Sequence, residues 1–186
     1  MQAFKEGMEY LDSVLDNSML VYAAISPNLA TARYVHMRRI ACDAFKSIDE
    51  TAYTLNSTTY GWWQAEMYDF LDADHVVFDN ASEGENRARL VSSVVTGSLI
   101  TGDDFSRPGR WNQTAKALLQ NKRLLTLVQK DGKPFRPIDV STGAGPANVF
   151  IKTFEDGIYV AVFNYSDHPM DLGVSRSRLE IPKNVT

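Results

Sequence analysis

FLDADHVVF, residues 70–78, and ENRARLVSSVVTGSLITGDDF, residues 85–105, decide the fold. The first is a strand-like apolar run broken by Asp72, Asp74 and His75. Before the second, Ser82 and Glu85 form a capping box, in which hydroxyl and carboxylate satisfy each other's backbone N–H groups. Leu90/Val94 and Val91/Val95 then stack one turn apart on the helix that follows. Residues 99–101 form a short strand that runs into Gly102-Asp103-Asp104. Strand, helix, strand is the repeating unit of a parallel sheet.

The same texture extends toward the N-terminus. Phe4, Met8, Leu11 and Leu15 are spaced three and four apart and make one stripe on a helix. MLVYAAI (19–25) lacks polar alternation, as a strand buried on both faces does, and Ser26-Pro27-Asn28 ends it. Residues 34–42 read as a second strand. Ser47-Ile48-Asp49-Glu50 is another capping box, though Asn56-Ser57-Thr58-Thr59 and Gly61 are poor helix formers. In the other direction, Ala115, Leu118, Leu119, Leu125 and Val128 predict one helix over 112–129.

Beyond Asp131-Gly132 the pattern changes. Lys133-Pro134-Phe135-Arg136-Pro137 reads as a stiff extended connector. VFIKTF (149–154), an Asp156-Gly157 turn and residues 158–165 form a hairpin. A boundary falls between 131 and 147, with an α/β part before it and an antiparallel part after it.

Composition excludes several functions. The 19 basic and 23 acidic side chains give a net charge of −4, and no Lys/Arg cluster is long enough to track a phosphate backbone. No apolar run reaches the length of a membrane span. The N-terminus lacks the basic flank and apolar centre of a signal peptide. The single cysteine, Cys42, rules out an internal disulfide or a multi-thiolate zinc site within the chain, and reads as a small buried hydrophobe. His36, His75 and His168 lack zinc-ligand spacing. No cofactor is called for.

In parallel α/β sheets functional groups gather at the C-terminal ends of strands. Three acidic groups stand there: Asp43, the pair Asp72 and Asp74, and the pair Asp103 and Asp104. Carboxylates converging on one rim suit glycoside hydrolysis, where one acid protonates the leaving oxygen and a second serves as nucleophile or base. Each also fits the plainer role of a strand end or helix cap. Arg39 and Asp43, four apart, would share a face of a strand, either as a sugar-binding cation beside an acid or as a simple ion pair. Asp72-Ala73-Asp74 matches the DxD pattern of metal-dependent glycosyl transfer. Trp62-Trp63 could stack on a sugar, but core packing is the stronger reading.

Taken in order, RRIACDAF (38–45), FLDADHVVF, ENRARLVSSVVTGSLITGDDF and AKALLQNKRLLTLVQ (115–129), followed by VFIKTFEDGIYVAVFNYSD, resemble the melibiase-like α-galactosidase clan of glycoside hydrolases. The resemblance implies strands five to eight of a (β/α)8 TIM barrel over residues 1–131, and the beginning of an antiparallel β-sandwich over 132–186. A complete barrel takes about 250 residues. Asp43 matches the family's acid/base carboxylate, and Arg39 its hydroxyl-binding arginine. Asp74 matches the acidic substrate contact after the seventh strand, His75 stands where a methionine is common, and Asp72 belongs to the same loop.

Two positions depart from the family. The nucleophilic aspartate after the fourth strand has no counterpart here. Ile25-Ser26-Pro27 stands where a sugar-reading residue is usual. The resemblance therefore implies part of a retaining α-galactosidase-like hydrolase, inactive on its own, acting on carbohydrate and, for the intact enzyme, periplasmic or extracellular. A half barrel exposes sheet edges, so a homo-oligomer is expected. The rival readings are a non-catalytic carbohydrate-binding remnant and the DxD glycosyltransferase.

Overall fold

Both capping boxes start helices in the computed structural model, which describes residues 2–24, 29–44, 47–79, 81–138 and 145–181. Ser47 caps α2 (Ile48–Gly61), accepting from the Glu50 N–H while the Glu50 carboxylate accepts from the Ser47 N–H. Ser82 and Glu85 do the same for α3 (Glu83–Thr96). The poor helix formers of α2 do not interrupt it. Thr54, Thr58 and Thr59 are fully or almost fully buried. Thr59 Oγ1 donates to the Leu55 carbonyl (2.7 Å), and the Thr58 and Thr96 hydroxyls pair across the α2–α3 contact at 2.9 Å. Satisfied hydroxyls can be buried at little cost, so packing against α3 outweighs weak intrinsic propensity.

Three short parallel strands stand in the order β1 (Tyr22–Ala23), β2 (Met37–Arg39), β3 (Phe70–Asp72). Their register sets Tyr22 against Met37, Met37 against Phe70, and Arg39 against Asp72. A parallel bridge between Val76 and Thr101 continues the arrangement. The chain beyond holds α4 (Arg110–Leu119) and α5 (Lys122–Asp131). An antiparallel sheet follows, ordered β4 (Arg136–Pro137), β5 (Val149–Phe154), β6 (Gly157–Val162). The chain is thus a mixed α/β protein.

Several sequence expectations are corrected here. The strand read over 19–25 shrinks to two described residues at the edge of the described sheet, and the run is not buried on both faces, because Met19 and Leu20 before the strand and Tyr22 on it are exposed. Ile25, the Ser26-Pro27-Asn28 turn and Phe45 lie outside the described residues. The strand over 34–42 is Met37–Arg39 alone. Residues 99–101 contribute only a bridge. The single helix over 112–129 is two, because Asn121 caps a fresh start by accepting from the Leu124 N–H. The connector ends in a strand, with Arg136 opposite Ile151. Trp63 is exposed and Trp62 half-buried, so neither is core. Cys42 is exposed as well.

The N-terminal stripe does make a helix, α1 (Gln2–Leu15), yet α1 has no buried residue and Phe4 and Leu11 are exposed. Met8 alone of the stripe reaches the cluster of Tyr34, Val35, Tyr68 and Leu71. A second cluster joins Leu55 of α2 and Val95 of α3 to Phe135, Phe150 and Phe163. Phe150 meets Phe163 edge to face at 5.8 Å. Lys133 ties the connector to the segment before β3 by donating to the carbonyls of Ala65, Tyr68 and Asp69.

Two glycines are needed where helices end. Gly97 (φ +95°) and Gly132 (φ +61°) follow α3 and α5 in left-handed conformation. They touch each other: a Cβ on Gly97 would lie 2.6 Å from the Gly132 carbonyl oxygen, and one on Gly132 would lie 2.8 Å from the Phe70 ring.

Phe150 spans the second cluster with no exposed surface. Phe150→Ala should destabilise the protein by about 3–5 kcal/mol, read as a lowered denaturant midpoint in urea unfolding followed by circular dichroism. A midpoint within error of the parent would contradict this placement of the core.

Candidate functional site

The register that faces Arg39 with Asp72 brings the C-terminal ends of β2 and β3 together, and the charged residues meet there. Arg39 Nη1 contacts Asp43 Oδ1 at 2.9 Å and Asp74 Oδ1 at 3.1 Å. Asp74 Oδ2 accepts from the Ala44 N–H at 2.6 Å. His75 Nδ1 lies 3.1 Å from Asp74 Oδ1. Asp72 turns inward: Oδ1 accepts from the Asp74 N–H (2.9 Å) and Oδ2 from the Tyr22 hydroxyl (2.6 Å). All five residues singled out in the sequence, Arg39, Asp43, Asp72, Asp74 and His75, therefore belong to one network.

The route to the Arg39–Asp43 pair differs from the one expected. β2 stops at Arg39, so the two do not share a strand face. Residues 40–43 curl back and return the Asp43 carboxylate to the guanidinium. Asp43 stays largely in solvent, its side chain 69% exposed against 7% for Asp74. The imidazole of His75 lies over Gly102, where a Cβ would collide with ring Cδ2. A glycine there is what lets the ring lie against Asp74.

The other acidic pair stands apart. Asp103 accepts from the Phe78 and Asp79 N–H groups at 2.9 and 3.1 Å. Asp104 is exposed and accepts from the Ser106 N–H and hydroxyl. Both hold turns. His36 is structural too, its Nδ1 accepting from the Val21 N–H at 3.0 Å.

Two members of the network went unread in the sequence. Tyr22 is hidden inside an apolar run. Arg89 sits on α3 between Asn86 and Ser93, at the three- and four-residue spacing of the buried face, and that spacing was the available signal. It is fully buried beneath the rim.

Environment separates the two central carboxyls. Burial pushes Asp72 above the usual aspartate range, although hydrogen bonds from Tyr22 and the Asp74 N–H oppose it. Asp74 also feels burial, but hydrogen bonds from the Ala44 and His75 backbone, with His75 itself, more than reverse it and hold Asp74 below that range. Burial opposes the charge of Arg39, and its bonds to Asp74 and Asp43 override this. Burial and the adjacent Asp72 raise the Tyr22 phenol well above its ordinary value. The result is a fixed anion, a fixed cation and an exposed carboxylate in a row. Such a row can receive neighbouring hydroxyls, each of which donates to a carboxylate and accepts from a guanidinium or imidazole.

No family model matches the chain, and no curated protein matches it. Among solved structures it is similar to a GH27 β-L-arabinopyranosidase from Geobacillus stearothermophilus. The TM-score is 0.69 and the identity 16%, over 88% of this chain and 42% of that one. A variant of that enzyme in complex with arabinose is similar at TM-score 0.65 and 14% identity, over 84% and 41%. At these identities the likeness is one of fold, and the chain spans less than half the length of either neighbour.

The sign of the pH effect differs for the two carboxyls. Asp74, held low, stabilises the fold fully above the ordinary aspartate pKa of about 3.9, and this is lost as pH falls through its depressed value. Asp72, held high, costs stability as pH rises through its raised value. Tyr22→Phe removes a donor to ionised Asp72, so Asp72 should titrate higher still while Asp74 stays low, as followed by carboxyl carbon NMR. An unmoved Asp72 would refute the hydrogen bond.

Proposed function

We propose that this chain is the second half of the catalytic barrel of a retaining glycoside hydrolase, strands five to eight over residues 1–131, followed by part of a β-sandwich over 132–186. The observation that carries the reading is the Arg39 guanidinium shared by Asp43 and Asp74 at the ends of adjacent parallel strands. The GH27 fold of the structural neighbours supports it.

Asp43 is the acid/base residue, being the exposed member of the network and the one open to an arriving glycosidic oxygen. An aspartate outside residues 1–186 attacks the anomeric carbon. The bond to the leaving oxygen breaks as Asp43 gives that oxygen its proton. Water then attacks the glycosyl carboxylate ester, Asp43 takes its proton, and the sugar leaves with retained configuration. Asp74, His75 and Arg39 hold sugar hydroxyls, and Asp72, fixed by Tyr22, supports the turn that presents Asp74.

The glycone is an α-D-galactopyranoside or a β-L-arabinopyranoside. The two share ring stereochemistry and differ by the hydroxymethyl at C5, and arabinose is bound in one neighbour. A DxD glycosyltransferase fits less well. Asp72 has both oxygens committed to Tyr22 and the Asp74 backbone, and Asp74 is committed to Arg39, His75 and Ala44.

Methyl α-D-galactopyranoside or methyl β-L-arabinopyranoside at millimolar concentration should give saturation-transfer NMR signals with the 186-residue chain, and Arg39→Met should abolish them. Absence of binding by the parent chain would overturn the glycoside reading. The chain should release no nitrophenol from para-nitrophenyl glycosides of the same sugars. Turnover that disappears in Asp43→Asn would show that the nucleophile lies within it. Bound sugar without turnover, unaffected by Asp43→Asn, fits the non-catalytic rival until a chain that includes the attacking aspartate is assayed. There Asp43→Asn should lower kcat/KM by about 10²- to 10⁴-fold.

The exposed apolar residues of α1 and the β1 edge, among them Phe4, Leu11 and Tyr22, are faces that the rest of a barrel would cover. The isolated chain is therefore expected to self-associate, and sedimentation as a single monomeric species would contradict this.

A further inference from the structure

Arg89 has no exposed surface and takes no part in the chemistry proposed above. Its Nη2 donates to the His75 carbonyl at 2.6 Å and reaches the Ala73 carbonyl at 3.5 Å. Its Nη1 donates to Thr54 Oγ1 on α2 at 3.0 Å. Its Nε has no hydrogen-bond partner. Among the described residues no carboxylate forms an ion pair with it. A guanidinium buried without a direct counterion is costly, and burial pulls this one below the usual arginine range. The negative charge that offsets the penalty comes from Asp74, Glu50 and Asp72 at longer range.

The two carbonyls that Arg89 reaches lie on either side of Asp74, whose φ of +70° is left-handed. Aspartate adopts that conformation more readily than most residues with a side chain, and the Asp72 carboxylate already accepts from its N–H, which leaves the carbonyls on either side to be held. We propose that Arg89 is a positioning residue, gripping the backbone on both sides of Asp74 so that the Asp74 carboxylate faces Arg39, His75 and the Ala44 N–H. Its buried charge is a second source of the field that keeps Asp74 ionised. The other charged groups facing that site are Arg39 of β2, Asp43 beyond it, Asp72 of β3 with its Tyr22 partner, His75, and Glu50 of α2. The inference deepens the glycoside reading and rests on it only for the effect on sugar binding.

The test uses the whole chain and two variants, with the Asp74 titration followed by carboxyl carbon NMR and the Ala44 amide by hydrogen exchange. Arg89→Met removes charge and grip: the Asp74 midpoint should move up toward the ordinary aspartate range, and sugar affinity should fall by about tenfold or more. Arg89→Lys keeps the charge but lacks the planar fork: Asp74 should stay low while the Ala44 amide exchanges faster. An unmoved Asp74 midpoint in folded Arg89→Met overturns the role of the charge. Unchanged Ala44 exchange in Arg89→Lys overturns the grip. Should Arg89→Met not fold, Arg89→Lys alone decides the proposal. A merely structural arginine would lower thermal stability without moving either readout. A parent chain that binds no pyranoside would overturn the glycoside reading and leave both readouts legible.

Discussion

The pairing of Arg39 with Asp72 across the β2–β3 ladder fixes the rim on which everything else depends. Parallel register places a basic residue at the end of one strand beside an acidic residue at the end of the next. Asp72 does not meet that charge itself. It turns to Tyr22 and to the Asp74 N–H, beside the left-handed step at which Asp74 meets Arg39. A one-residue slip would reverse every side chain on β3 and separate the pair. The site thus starts from strand register at Arg39 and Asp72, and the segments just beyond the two strand ends supply Asp43, Asp74 and His75.

Beneath the rim the burial is unusually polar. Thr54, Thr58, Thr96, Ser92, Ser93 and Arg89 lie in the α2–α3 contact with little or no exposed surface. Most of their hydroxyls bond to the carbonyl three or four residues back or to one another. Such a layer permits close helix approach while providing partners for a buried cation. The fully apolar packing is displaced to the second cluster, where α2 and α3 meet Phe135, Phe150 and Phe163.

Much of this was legible before any coordinates. Capping boxes are local and carry their own hydrogen bonds, so α2 and α3 began where Ser47 and Ser82 indicated. The β5–β6 hairpin followed from the Asp156-Gly157 turn for the same reason. Strand lengths were not legible, because an apolar run such as MLVYAAI records what could pair, whereas a strand needs a neighbour along its whole length. The rim residues were found through strand ends and family likeness. Tyr22 and Arg89 were missed because each acts through a hydrogen bond formed only after strands or helices pack. Cys42 was misjudged because a small sulfur side chain fits a core as readily as a bend, and only the course of residues 40–43 decides between them.

That bend has a practical consequence. Cys42 is the single thiol of the chain, exposed and next to Asp43. A maleimide or nitroxide would therefore attach at one address, on the lip of the carboxylate cluster, with no engineered cysteine and none to remove. The molecule carries its own attachment point for a spectroscopic reporter, beside the Arg39–Asp43 pair.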